Sequence, residues 1–187
     1  MKLIDREIAY SCKRFDVIQE KFDIINGIQD YYHLDTNNAV AGIVRYQKQI
    51  LFVEQYRSSI GMRELELPGG RIEEGESADD AIVREIKEEL GVIRCSIRKL
   101  KDYYPIPSLT NQMISYYVVE AYELGAPQRE KTERDMKVYV VPETEILVLL
   151  ESKYIVSAIE AIGLYAYIQQ GVRKSTNATN VLFKELK

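Results

Sequence analysis

The chain has 187 residues, 46% of them hydrophobic and 29% charged, which suits one domain with a sizeable core and excludes a disordered segment. A formal net charge of −4 argues against wholesale binding of nucleic acid or an anionic membrane. No stretch reaches the apolar length of a membrane span. MKLIDREIAY lacks the apolar run of a signal peptide, and Cys12 and Cys95 form no CxxC or Cys/His pattern, so a cytoplasmic protein with idle thiols is expected.

In chain order, the residues from about Cys12 to Tyr32 alternate and favour strand, with Asn26-Gly27 as a turn between two runs. Phe15, Phe22, Tyr31 and Tyr32 in this piece suit hairpin packing better than base stacking. After Asn37-Asn38, AVAGIVRY and QILFVEQYR predict two longer strands joined around Gln47-Lys48. ELPGGRIEEGE then sets Pro68, Gly69 and Gly70 behind a strand-like run, and a helix starts near Ser77. The S-x-x-D arrangement of Ser77 with Asp80 caps that helix, and Gly91 ends it. VIRCSIRKL, MISYYVVEAYEL and MKVYVVP predict strands, and the polar GAPQREKTERD before the last of them predicts a loop. Ile155, Ala158, Ile159, Ile162, Tyr165 and Ala166 recur at helical spacing and predict a second helix over about 152–170, packed on the sheet. Antiparallel strands with two separated helices make the fold class α+β. The expected organisation is a small antiparallel β subdomain over 1–37 followed by a main domain over 38–187.

The first helix raises the chemical question. On it, Ala78, Ile82, Ile86 and Leu90 form an apolar stripe, and Glu89 falls within the same arc. Glu85 lies one turn before Glu89, with Glu88 beside them. Like charges at these spacings cost about 0.2–0.5 kcal/mol per pair, and burying one unpaired costs several times more. A solvated Glu/Lys surface helix accounts for Arg84, Lys87 and Glu88 but not for Glu89. A hard cation such as Mg²⁺ accounts for all three carboxylates, and helix physics alone leaves both readings open.

The wider spacing adds a resemblance. Gly70, Glu76, Arg84, Glu85, Ile86, Glu88, Glu89, Gly91 and Val92 match G-x5-E-x7-R-E-U-x-E-E-x-G-U without substitution, U being a bulky aliphatic residue. This resembles the Nudix box. The resemblance implies an α/β/α sandwich on a mixed sheet and hydrolysis of nucleoside diphosphates linked to a second moiety. It further implies that Glu85, Glu88 and Glu89 ligate Mg²⁺ or Mn²⁺, while Arg84 and Glu76 hold the geometry of loop and helix. The Pro-Gly-Gly turn lets backbone approach an ion, which makes the Gly69 carbonyl a candidate ligand.

Outside the box, VEQYR (53–57), ELPGG (66–70) and YPIPSLT (104–110) resemble the ADP-ribose and nucleoside diphosphate sugar pyrophosphatase branch. In that branch Arg57 and Arg71 would bind the diphosphate, Glu66 would contact substrate, and the N-terminal piece would complete a homodimer and help enclose the base. Ser108 and Gln112 depart from the branch, which carries a glycine and an acidic residue there. Alignment on DMKV puts Arg134 where the branch has its water-activating glutamate. Glu133 is therefore the candidate base, with Glu88 or Glu89 as alternatives. Other substrates implied by the family are GDP-mannose or a dinucleotide coenzyme. A binding module without catalysis is the alternative of a different class, and the intact box weighs against it. No nucleic-acid or membrane partner is expected.

Overall fold

The computed structural model describes residues 1–129 and 135–170, together with the backbone strand Lys184–Glu185. Three N-terminal strands, β1 (Lys2–Ser11), β2 (Asp16–Ile24) and β3 (Gly27–Asp35), pair antiparallel in that order as a sheet of their own. The turn residues are Ile25 and Asn26, one position before the expected Asn26-Gly27, and Gly27 opens β3 at φ 131°. The expectation of two strands starting near Cys12 is corrected by β1. That strand is exposed along its whole length, so its residues carry no one-sided pattern to betray it.

The main sheet contains β4 (Ala39–Tyr46), β5 (Gln49–Arg57), β6 (Met62–Glu66), β7 (Gly69–Arg71), β8 (Val92–Tyr103), β9 (Ile114–Leu124), β10 (Lys137–Pro142) and β11 (Lys184–Glu185). Its order is β11-β10-β5-β4-β9-β8, with β6 on β5 and β7 on β4. Among the described residues of this sheet only the β4–β9 pairing is parallel, so the sheet is mixed. The β4–β5 hairpin turns on Gln47 (φ 50°) and Lys48 (φ 64°), both left-handed, as a two-residue loop between twisted strands requires.

Period-two alternation in the central strands feeds two cores. Val40, Val44, Leu51, Val53, Tyr117 and Val119 face α1 (Ala78–Leu90), whose Ala81, Ile82, Ile86 and Leu90 close the first core. Ala41, Ile43, Ile50, Phe52, Tyr116 and Val118 face α2 (Ile146–Leu150) and α3 (Ala158–Gln169) across the sheet. The result is the expected α/β/α sandwich. Both strand faces are buried, which is why these strands read as near-continuous apolar runs.

The second helix needs two corrections. It begins at Ala158 rather than near Ser152, and the short α2 precedes it. Its buried face is Glu160, Gly163, Leu164 and Tyr167, while Tyr165 points outward. Gly163 lets α3 pack closely on the sheet, since a Cβ there would lie 2.7 Å from the Tyr116 ring. No helix among the described residues is long and apolar enough to cross a membrane, and Cys12 and Cys95 are free thiols.

Candidate active site

β7 is three residues laid against β4, with Gly69 opposite Ala41 and Gly70 opposite Val40. A Cβ on Gly69 would sit 2.1 Å from the Val40 carbonyl oxygen, and one on Gly70 would sit 2.3 Å from Glu85 Oε1. One glycine lets the strand close on β4. The other lets α1 lay a carboxylate on the strand. Ser77 caps α1 by accepting the Asp80 N–H at 3.1 Å, and Gly91 ends it in a left-handed conformation at φ 72°. These local signals set the rotation of α1 and so the direction of its acids.

Glu85 and Glu89 are buried, 7% and 4% exposed, as the helical arc predicted for Glu89. Glu89 accepts the Gly69 N–H at 3.0 Å. Glu85 accepts from Arg84 Nη1 at 2.9 Å, and Glu88 lies 3.4 Å from the same nitrogen. Arg84 also grips Glu76 with two hydrogen bonds of 2.9 and 3.0 Å and donates to the Arg71 carbonyl at 3.1 Å. One planar guanidinium therefore fastens the loop after β7 to α1. It holds the Glu76 carboxyl below the usual carboxylate range. The Arg84 guanidinium is itself pushed upward, first by its bond to Glu76.

Hard oxygen donors, two of them buried, and a glycine strand that leaves room only for a carboxylate fit a hard divalent cation. Among the described residues, no three acids converge on one point as a ready-made cage. The Glu85 and Glu88 carboxylates are drawn to Arg84, and that of Glu89 to Gly69.

The other predicted residues fall as follows. Arg57 ends β5 and Glu66 ends β6. Their side chains meet in a two-pronged ion pair, through Nε at 2.6 Å and through Nη2. Arg71 is exposed on β7 and donates to the Arg14 carbonyl at 3.4 Å. Glu133 and Arg134 lie outside the described residues. Asp135, beside them, pairs with Arg63 at 2.9 Å.

Residues 36–158, which hold the box, match the NUDIX domain family. The chain belongs to that family. As a Nudix chain with an intact box it is a hydrolase of the pyrophosphatase kind. It is 25% identical to the ADP-ribose pyrophosphatase of Bacillus subtilis (strain 168) over 171 residues, spanning 90% of this chain and 92% of that one. It is 33% identical to the 8-oxo-dGTP diphosphatase of Escherichia coli (strain K12) over 90 residues, 46% of this chain and 67% of that one. A solved structure described as an ADP compounds hydrolase superposes with a TM-score of 0.80 at 21% identity, covering 92% of this chain and 98% of the other. That likeness establishes the fold.

Two buried acids of this Nudix chain escaped the sequence reading. Glu160 on α3 is 6% exposed and accepts the Leu67 N–H at 2.6 Å, and burial lifts its carboxyl to about 8. Glu64 is buried on β6, its carboxyl raised by burial and then by Glu66. Both had a signal. Glu160 shares an i, i+3, i+4, i+7 stripe with Gly163, Leu164 and Tyr167, and Glu64 is two residues from Glu66 on a strand.

Proposed function

We propose that this chain hydrolyses the diphosphate of ADP-ribose or a related nucleoside diphosphate sugar, with Mg²⁺ or Mn²⁺, to a nucleoside monophosphate and a sugar phosphate. The observation that carries the reading is the seating of two buried α1 carboxylates, Glu85 and Glu89, on the glycine strand β7. The long match to an ADP-ribose pyrophosphatase supports the substrate class. Glu85, Glu88, Glu89 and the Gly69 carbonyl would hold the cation, which neutralises diphosphate oxygens and acidifies water when bound. Arg57 and Arg71 bind the diphosphate by charge-assisted hydrogen bonds, and Glu66 orients Arg57 by their ion pair. Water adds to one phosphorus, the bond from that phosphorus to the bridging oxygen breaks, and the water's proton passes to a carboxylate. Glu133 takes that proton, or Glu88 or Glu89 in its place.

Residues 1–37 form the dimerisation element and 38–187 the catalytic domain. The three-stranded sheet buries one apolar side chain of its own, Ile18, while Leu3, Ile4, Ile8 and Tyr10 stay exposed on β1. Such a sheet calls for cover from a second copy. The two free thiols suit a reducing cytoplasm.

The test is a panel of ADP-ribose, nucleotide sugars, dinucleotides and triphosphates with Mg²⁺ and Mn²⁺, run on wild type and Glu89→Gln. Wild type is expected to release a nucleoside monophosphate from ADP-ribose or a sugar nucleotide. Glu89→Gln should lose at least about 100-fold in rate, taking the upper range for groups around a bound metal as a floor, and keep its fold. Turnover of triphosphates alone would refute the substrate class, and near wild-type turnover by Glu89→Gln would refute the cation site.

A further inference from the structure

The last turn of α1 carries Glu88 and Glu89, and its final carbonyls have no partners within the helix. Gly91 returns its N–H to the Ile86 and Lys87 carbonyls. The partners beyond that come from the segment after β9, far away in sequence. Gly125 N–H donates to the Gly91 carbonyl at 2.7 Å, and Gln128 N–H to the Glu88 carbonyl at 2.8 Å. Arg129 Nε donates to the Glu89 carbonyl at 3.2 Å. Through a second nitrogen, the same guanidinium donates to the Met136 carbonyl at 2.5 Å, one residue ahead of β10. A single side chain thus ties the backbone of Glu89 to the start of β10 and sets a positive charge at the negative end of α1.

We propose that Arg129 is a positioning residue for Glu89: by fixing the Glu89 main chain it keeps the carboxylate seated on the Gly69 N–H and in register to hold a divalent cation. The proposal rests on the reading of the α1 acids as cation ligands. Helix ends fray when their carbonyls are unmet. Gly91 secures those of Ile86 and Lys87 but not that of Glu89. The Glu89 side chain is buried and accepts the Gly69 N–H, so a small rotation of this turn carries its carboxylate off Gly69. A lysine keeps the charge but lacks the rigid planar fork that holds both carbonyls in one geometry.

The test measures Mn²⁺ binding to the protein without substrate, by the electron paramagnetic resonance of free Mn²⁺, with Tm recorded alongside. Arg129→Met should weaken Mn²⁺ binding about tenfold, the lower range for groups that orient metal ligands. Arg129→Lys should fall between Arg129→Met and wild type, and it carries the test if Arg129→Met does not fold. In Arg129→Met/Glu89→Gln the loss should not exceed that of Glu89→Gln alone, because both changes act through one ligand. Unchanged Mn²⁺ affinity in the Arg129 variants overturns the proposal, and a lowered Tm with unchanged affinity assigns Arg129 to stability only. Additive losses in the double variant overturn it as well. Wild-type affinity in Glu89→Gln instead removes the cation reading itself.

Discussion

Gly70→Ala separates the geometry of the site from the stability of the fold. The added methyl would lie 2.3 Å from Glu85 Oε1, 2.6 Å from Cδ and 2.9 Å from Oε2, against 3.4 Å for ordinary contact. The carboxylate must therefore retreat by about 1 Å, and the three nearest atoms all belong to that one side chain. The backbone at Gly70 does not need glycine's left-handed freedom. A misplacement of about 1 Å in a positioned group costs on the order of 100-fold in rate, whereas shifting the end of a side chain should cost about 1 kcal/mol, the low end for an added methyl. For a chain of this size that is roughly 2–4 °C in Tm. Gly69→Ala is the counterpart: its methyl would strike the Val40 carbonyl at 2.1 Å and Ala41 Cα at 2.9 Å. Backbone cannot give way so easily, and β7 should come off β4 with a large fall in Tm. The assays are thermal unfolding by circular dichroism and kcat/KM on ADP-ribose for both variants. Wild-type kcat/KM in Gly70→Ala, or a fall in its Tm as large as that of Gly69→Ala, would refute the argument.

Arg84→Met removes the guanidinium that Glu76 and Glu85 share; taking about 2 kcal/mol for breaking this partly buried network, Tm should drop by roughly 4–8 °C, and an unchanged Tm would show the network to be idle. Arg57→Ala removes a charged donor from the expected diphosphate, so kcat/KM on ADP-ribose should fall about 10–100-fold; no change would place the diphosphate elsewhere. Glu160 has a folded-state carboxyl near 8 against an ordinary 4.5, because burial disfavours its charge. The folded state holds that proton more tightly than the unfolded state. Its contribution to stability is therefore complete below about 4.5 and lost as pH rises through about 8. Glu160→Gln keeps an acceptor for the Leu67 N–H and cannot ionise, so its Tm should exceed that of wild type increasingly across this window; parallel Tm curves would contradict the assignment.

Sequence alone determined α1 and its acids. The Ser77 cap, the Gly91 stop and the 3.6-residue period act over four residues or fewer, and together they fix which way Glu85 and Glu89 point. The glycines of β7 were legible for the same reason, although only the tertiary structure tells Gly69, which clears backbone, from Gly70, which clears Glu85. The central strands were legible because a buried strand is apolar wherever it pairs. β1 was not, since an exposed strand has no preferred face. Nor was α2, whose ILVLL run has no period and no side-chain cap. Tertiary structure decided the partners. Arg57 and Glu66 meet through their side chains although the β5–β6 register pairs them with Met62 and Val53, Glu160 reaches Leu67 across 93 residues, and Arg129 reaches Glu89 across 40. Hydrogen bonds between distant segments leave no periodic trace in either one, because each side chain looks ordinary until the chain folds back and its partner arrives.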